Sequence, residues 1–287
     1  DIWIMLGEVY LRKNMLSEAE HCFKKTLDID PNNGYALFGI ASIYRKRKDY
    51  GKAISFYSKA IEAKPDSPRF LRALADTYYI IGKIDEAIRL YRQAIELEPN
   101  NGVLWYNLGV LYLRIEMPKE AAECFKRATD IDPNNVKAWN NLGLAYQKMG
   151  DFENAIKCFN KVIELKPDHI KAWINMGLAY RKIRDDNTAI KCLRKALEIE
   201  PGNVKALKFI GDIYLSRGFY SDAIQYYEQA VKREPENITL LKRLAQAYIN
   251  DNRPEKAIEY LVKACKLGDK ESCKEYKKIK KKIDKAE

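Results

Sequence analysis

Apolar positions along this chain follow a helical rhythm that restarts every 34 residues. In one stretch Trp139, Leu142, Gly143 and Tyr146 are spaced so that, at about 100° per residue, they share one stripe of a helix. The same set stands 34 residues upstream as Trp105, Leu108, Gly109 and Tyr112, and 34 downstream as Trp173, Met176, Gly177 and Tyr180. A second apolar run follows each first one, with a small residue such as Ala121 or Ala155 and a ring four positions on, Phe125 or Phe159. Eight copies can be counted, with a Tyr in every first run, from Tyr10 to Tyr248, and an Ala in every second run, from Ala19 to Ala257. A small residue lets two helices approach to about 8–10 Å, and the large neighbour fills the gap that remains. One such helix pair cannot bury both of its faces, so neighbouring pairs must stack.

Punctuation residues keep the same period. Pro31, Pro65, Pro99, Pro133, Pro167, Pro201 and Pro235 each follow an apolar run and end a helix. Two residues later comes an N-cap candidate, Asn33, Ser67, Asn101, Asn135, Asn203 or Asn237, with His169 the exception. Gly82, Gly150 and Gly218 mark the turn inside three copies, and Pro118 and Pro254 open the second helix in two others.

The pattern W-x2-L-G-x2-Y…A-x3-F…P resembles the tetratricopeptide repeat (TPR) family. The resemblance implies an all-α fold, a right-handed superhelix or α-solenoid of helix-turn-helix units. Residues 1–271 are expected to form eight repeats, the first lacking its start, and residues 272–287 a Lys-rich capping helix with Cys273, Tyr276, Ile279 and Ile283 on one stripe. Leu37, Leu71, Leu207 and Leu241 replace the family's Trp, and Ala41, Ala75 and Ala245 its Gly. The opening at Asp1, with Trp3 already in a core slot, suggests a fragment or a processed chain.

Composition narrows the function classes. Hydrophobic content of 47% suffices for a long core, while no apolar run approaches the roughly 18–20 residues of a membrane span. Cys22, Cys124, Cys158 and Cys192 share one repeat slot, where other copies carry Phe56, Leu90, Tyr226 and Tyr260, so they behave as half-buried hydrophobes. No disulfide framework is expected, which fits a reducing, cytoplasmic setting. No phosphate loop, Cys-x-x-Cys pair, zinc motif or nucleophile elbow is present, so neither catalysis nor a cofactor or metal is expected. The net charge of +11 favours acidic partners.

Candidate recognition residues lie opposite the core stripe of the first helices, which the TPR resemblance places on the concave surface. Asn107, Asn141 and Asn175 occupy one slot in three consecutive copies. An amide can both donate to and accept from an extended peptide backbone. The run resembles the asparagine ladder in the TPR arm of O-linked N-acetylglucosamine transferases. One turn earlier stand Lys137, Lys171 and Lys205, with Lys148, Arg181, Lys182 and Lys208 nearby, which predicts a basic groove. In the first repeats Tyr35 and Phe38, with Tyr79 and Tyr106, offer rings, and Glu8 and Asp76 add acid. A chaperone-type carboxylate clamp is incomplete, because Asn140, Leu144 and Phe209 stand where Lys, Asn and Arg are needed.

These features predict a non-catalytic interaction scaffold that holds an extended, acidic peptide segment, with self-association open at the array ends. The alternative is the substrate-recognition arm of a larger enzyme, such as a glycosyltransferase. Nucleic-acid binding is disfavoured, since the Lys are scattered and no stacking platform interleaves with them.

Overall fold

The computed structural model describes residues 2–283; Asp1 and the last four residues of the expected capping segment lie outside the described residues. Helices follow one another in pairs, with no strand among the described residues. The pairs are α1 (Ile2–Arg12) with α2 (Leu16–Ile29), α3 (Gly34–Lys46) with α4 (Tyr50–Ala63), α5 (Pro68–Ile80) with α6 (Ile84–Leu97), and α7 (Gly102–Arg114) with α8 (Pro118–Ile131). They continue as α9 (Val136–Met149) with α10 (Phe152–Leu165), α11 (Ile170–Lys182) with α12 (Asp186–Ile199), α13 (Val204–Ser216) with α14 (Tyr220–Arg233), and α15 (Ile238–Asn250) with α16 (Pro254–Lys266). One further helix, α17 (Lys270–Ile283), packs on α16. The chain divides into two compact units, Asp1–Ala145 and Tyr146–Glu287.

The turn inside each pair is one device used eight times. Residues 14, 48, 82, 116, 150, 184, 218 and 252 all have positive φ, and only Gly82, Gly150 and Gly218 are glycines. The residue after each donates its N–H to the carbonyl of the invariant Tyr five positions back, as in Met15 to Tyr10 (2.9 Å), Asp49 to Tyr44 (3.0 Å) and Arg253 to Tyr248 (2.9 Å). This six-to-one bond, after a left-handed residue, is a Schellman ending. Asn14, Lys48, Glu116, Arg184 and Asn252 therefore hold the conformation at a cost that glycine avoids.

Between repeats the predicted N-caps form. Asn33, Asn135, Asn203 and Asn237 accept from the N–H three residues on at 3.0–3.2 Å, and Asn101 from the N–H two residues on at 3.1 Å. Two details differ from the sequence expectation. Ser67 makes no side-chain cap bond, its helix opening instead on Pro68. His169 is no exception, because its Nδ1 accepts from Ala172 N–H at 3.1 Å. Burial first, with Lys166 and Lys171 adding to it, holds this imidazole below its usual pKa, which keeps Nδ1 free to accept.

The core is built by second-helix rings pressed against small first-helix residues. All eight slot alanines, from Ala19 to Ala257, are fully buried, as are Phe23, Tyr57, Phe125, Phe159 and Tyr227. A Cβ on Gly109 would lie 2.8 Å from Cε1 of Phe125, so the ring occupies the space that a side chain there would need. The first-helix tryptophans are only half-buried. Trp105, Trp139 and Trp173 lie over the preceding loop, where Nε1–H donates to the carbonyl of Pro99, Pro133 and Pro167 at 2.8, 2.8 and 2.9 Å. Trp3 is 38% exposed and meets His21 edge-on rather than filling a closed core. Along α1, Ile2, Met5 and Val9 are also exposed.

Cysteine usage departs from expectation at one place. Cys22, Cys124, Cys158 and Cys192 are buried and free, but Cys265 and Cys273 form a disulfide between α16 and α17 across a Cα–Cα distance of 4.7 Å. The two lie either side of the turn at Leu267–Gly268–Asp269, outside the shared slot, so slot spacing said nothing about them. Tyr276 and Ile279 of α17 pack on the core that α15 and α16 complete. Among the described residues no helix is long and apolar enough to cross a membrane.

Candidate peptide-recognition face

The face opposite the core belongs to the odd-numbered helices. In the first unit α1, α3 and α5 line a depression of about 230 Å³, with Leu11, Phe38 and Ala73 as its apolar lining and Arg45, Lys46, Arg69, Arg72 and Asp76 as its polar one. Asp76 organises that lining. It accepts a very short hydrogen bond from the Tyr91 hydroxyl, and Nη1 of Arg45 lies 3.9 Å from its other oxygen. Burial, and then the Asp76 charge, push the Tyr91 hydroxyl far above its ordinary pKa, so Tyr91 is the donor. Arg69 donates to Glu8 at 2.9 Å and lies 4.7 Å from the Phe38 ring centre. Arg72 is half-buried and makes no hydrogen bond or ion pair with another described residue.

In the second unit Asp212 on α13 plays the same part. Its carboxylate accepts from Tyr227 at 2.6 Å and from Lys208 at 3.3 Å, and Nε of Arg243 lies 3.6 Å away. Nη2 of Arg181, on α11, donates to the Asp212 carbonyl at 3.4 Å. The Asp212 side chain is only 10% exposed, and burial followed by this carboxylate raises the Tyr227 pKa.

The residues singled out from the sequence fall into three groups. Lys137, Lys148, Lys171, Lys182 and Lys205 are exposed, while Arg181 and Lys208 are half-buried in the Asp212 cluster. The asparagines are all half-buried but not equivalent. Asn141 donates to the Tyr106 hydroxyl at 3.3 Å and accepts from Asn140 at 3.3 Å, and Asn107 lies beside the Tyr91 hydroxyl. Asn175 makes no hydrogen bond with another described residue. The rings are less available than expected. Phe38 is buried, stacked on Phe70 at 4.7 Å and tilted against Tyr57 at 5.4 Å. Tyr35 stays 41% exposed, with Lys64 Nζ donating to its hydroxyl at 2.6 Å. Tyr79 is capped by Arg114 at 4.8 Å, and Tyr106 leans on Phe125. Sequence reasoning passed over Arg45, Arg69, Arg72 and Asp212; the signal was their recurrence at a multiple of the repeat.

Comparison with known proteins fits this architecture. Residues 67–278 match the family model described as the Cilia and flagella-associated protein 70 C-terminal domain, a TPR model, and residues 4–68 match the one described as Tetratricopeptide repeat. The chain belongs to the tetratricopeptide repeat family. No curated protein is matched. Among solved structures, MamA is 30% identical over 61% of this chain and 96% of its own, with a TM-score of 0.57. YrrB, described as a TPR protein with an unusual peptide-binding site, is 25% identical over 64% of this chain and 95% of its own, at 0.60. The C-terminal part of a TPR protein from Cytophaga hutchinsonii, 18% identical, covers 84% of this chain and 99% of its own, at 0.73, a likeness of fold. TPR family and neighbours together support a protein-interaction scaffold, a class that is typically non-catalytic.

Proposed function

We propose that this TPR array is a non-catalytic, cytoplasmic recognition scaffold whose odd-helix faces hold an extended acidic segment of a partner protein. The observation that carries the reading is a surplus of cations on that face. Lys137, Lys171 and Lys205 are exposed and make no ion pair with another described residue, and the Asn175 amide, one turn from Lys171 on α11, is uncommitted. Exposed lysines attract acidic chains and give a salt-dependent affinity. YrrB's described peptide-binding site supports the reading by likeness. The cytoplasmic placement rests on the lack of a disulfide framework among the four repeat-slot thiols, with the Cys265–Cys273 bond the departure from it.

The experiment is titration of a retained partner peptide at low and moderate salt. Replacing Lys137, Lys171 and Lys205 together by Ala is expected to weaken acidic segments selectively and flatten the salt dependence. Replacing Asn107, Asn141 and Asn175 by Ala is expected to weaken acidic and neutral segments alike, with most of the loss already present in Asn175→Ala, whose amide has no competing partner. Unchanged affinity in both variants would reduce these residues to solvated surface.

A further inference from the structure

Six positions of the first unit recur, each 136 residues or four repeats later, in the second. Arg45 is matched by Arg181, Lys46 by Lys182, Arg69 by Lys205, Arg72 by Lys208, Asp76 by Asp212 and Tyr91 by Tyr227. The intervening repeats break the set, with Val110, Leu144 and Leu178 in the Asp slot and Phe125, Phe159 and Leu193 in the Tyr slot. The recurrence is therefore not a property of every repeat. Geometry recurs with it. In both units a second-helix Tyr donates to an Asp on the first helix of its own repeat, and an Arg from the preceding repeat's first helix reaches that Asp residue, at 3.9 Å from the carboxylate for Arg45 and through the backbone carbonyl for Arg181.

We propose that these are two equivalent carboxylate-reading sites, one in each unit, which bind acidic residues of a peptide partner. The proposal rests on the odd-helix face being the recognition surface. Each Asp accepts from a neutral Tyr hydroxyl, which fixes it in place; Asp212 also binds Lys208 at 3.3 Å and lies 3.6 Å from Arg243, and Asp76 lies 3.9 Å from Arg45. Cations then outnumber acids. The first site has Arg45, Lys46, Arg69 and Arg72 against Glu8 and Asp76, and the second has Arg181, Lys208 and Arg243 around Asp212. Arg72, half-buried and unpaired, is the donor left over for a ligand. A guanidinium so placed offers a carboxylate two parallel N–H donors.

Size and charge choose the ligand. The first depression, at about 230 Å³, is below the ~300–1,000 Å³ of small-molecule sites, so it takes a side chain rather than a cofactor. Its apolar lining of Leu11, Phe38 and Ala73 suits the methylenes of Glu. A resident carboxylate repels a phosphate dianion about twice as strongly as a monoanion, which favours carboxylate over phosphate. Phe38 is covered by Phe70 and Tyr57, so no open ring face is offered for stacking a base.

The test uses fluorescein-labelled octaglutamate as the probe and octaglutamine as its neutral control, read by anisotropy on the full chain. Wild type is expected to take two octaglutamates. Arg72→Gln and Lys208→Gln are each expected to reduce this to one, and the double variant to none, with Arg72→Lys retaining both. A control that removes two cations from second helices, Lys157→Gln with Lys191→Gln, is expected to keep two. Melting curves establish that each variant is folded, and the Arg72→Lys result stands if Arg72→Gln does not fold. A stoichiometry other than two, or an equal loss in the control, would overturn the proposal and leave the recurrence as a packing motif. Displacement by polyphosphate at lower charge equivalents than octaglutamate would overturn the carboxylate assignment. Two octaglutamates bound with no effect of the asparagine variants on a partner peptide would reject the backbone-holding role and leave the twin sites standing.

Discussion

Phe125→Ala tests whether second-helix rings, rather than first-helix tryptophans, carry the stability of a repeat. Phe125 is fully buried and fills the space above Gly109, where no Cβ could stand. Burying a Phe removes roughly 200 Å² from water, which at ~25 cal/mol/Å² is about 5 kcal/mol. Alanine keeps one methyl, worth about 1 kcal/mol, so the expected loss is about 4 kcal/mol, within the ~3–5 kcal/mol typical of such truncations. Trp105, in the same repeat, is half-buried and makes one hydrogen bond, to the Pro99 carbonyl at 2.8 Å. Trp105→Ala is expected to cost less, about 2 kcal/mol, because part of the ring is already solvated. Urea unfolding followed by circular dichroism gives the totals, and hydrogen exchange in α7 and α8 shows whether the loss is local, since stacked repeats can open individually. A Phe125→Ala loss below about 1 kcal/mol, or one smaller than that of Trp105→Ala, would refute this account of the core.

Three other outcomes are expected. His169→Asn should remove a pH dependence: the imidazole's folded pKa is depressed, so its cap contributes fully above the unfolded value of ~6.5 and is lost as pH falls through the folded one; a melting-temperature series from pH 7.5 to 5 that is no flatter in the variant would contradict this. Glycine at Lys48, Glu116 or Arg184, all at positive φ, should raise stability by about 0.5–1 kcal/mol each, measured by urea unfolding, whereas a loss would mean that the side chain contributes more than its backbone strain costs. Burial pushes Cys124 and Cys158 up to about 12 and Cys192 up to about 11, so the native protein should resist thiol reagents at pH 8 and lose stability between about pH 8.5 and 12, as the unfolded thiols ionise first; the unfolded chain should show four reactive thiols, and six after reduction of Cys265–Cys273. That reduction should also cost about 2.5 kcal/mol locally, for an eight-residue loop, seen as faster exchange in α17.

What was legible in the sequence was whatever repeats at 34. The helix pairs, the buried alanines, the proline breaks and most N-caps follow from spacing, because each reflects a local rule applied once per repeat. The left-handed turn was legible only where glycine announced it. At Lys48, Glu116 and Arg184 the Schellman bond to the Tyr carbonyl imposes the same backbone on side chains that do not favour it. His169 was misleading for a different reason: capping needs an acceptor, and a neutral imidazole supplies one that residue-type preference does not count.

The recognition face was harder because its content is in departures from the period, not in the period itself. A single-period view groups Asn107, Asn141 and Asn175, although in the fold their amides have different neighbours. The same view separates Asp76 from Asp212, each of which accepts from a Tyr hydroxyl of its own repeat's second helix. The difference lies in what each slot must do. A core slot is constrained by its own repeat and by the next, so one period captures it. An inner-face slot is constrained by what lies across the groove, an Arg one repeat back and a Tyr in its own second helix, so its meaning is a relation among three helices. Such a relation shows in sequence only when all its members recur together, as these do four repeats apart. That joint recurrence, against the apolar residues in the intervening copies, is the reason to read the two clusters as sites.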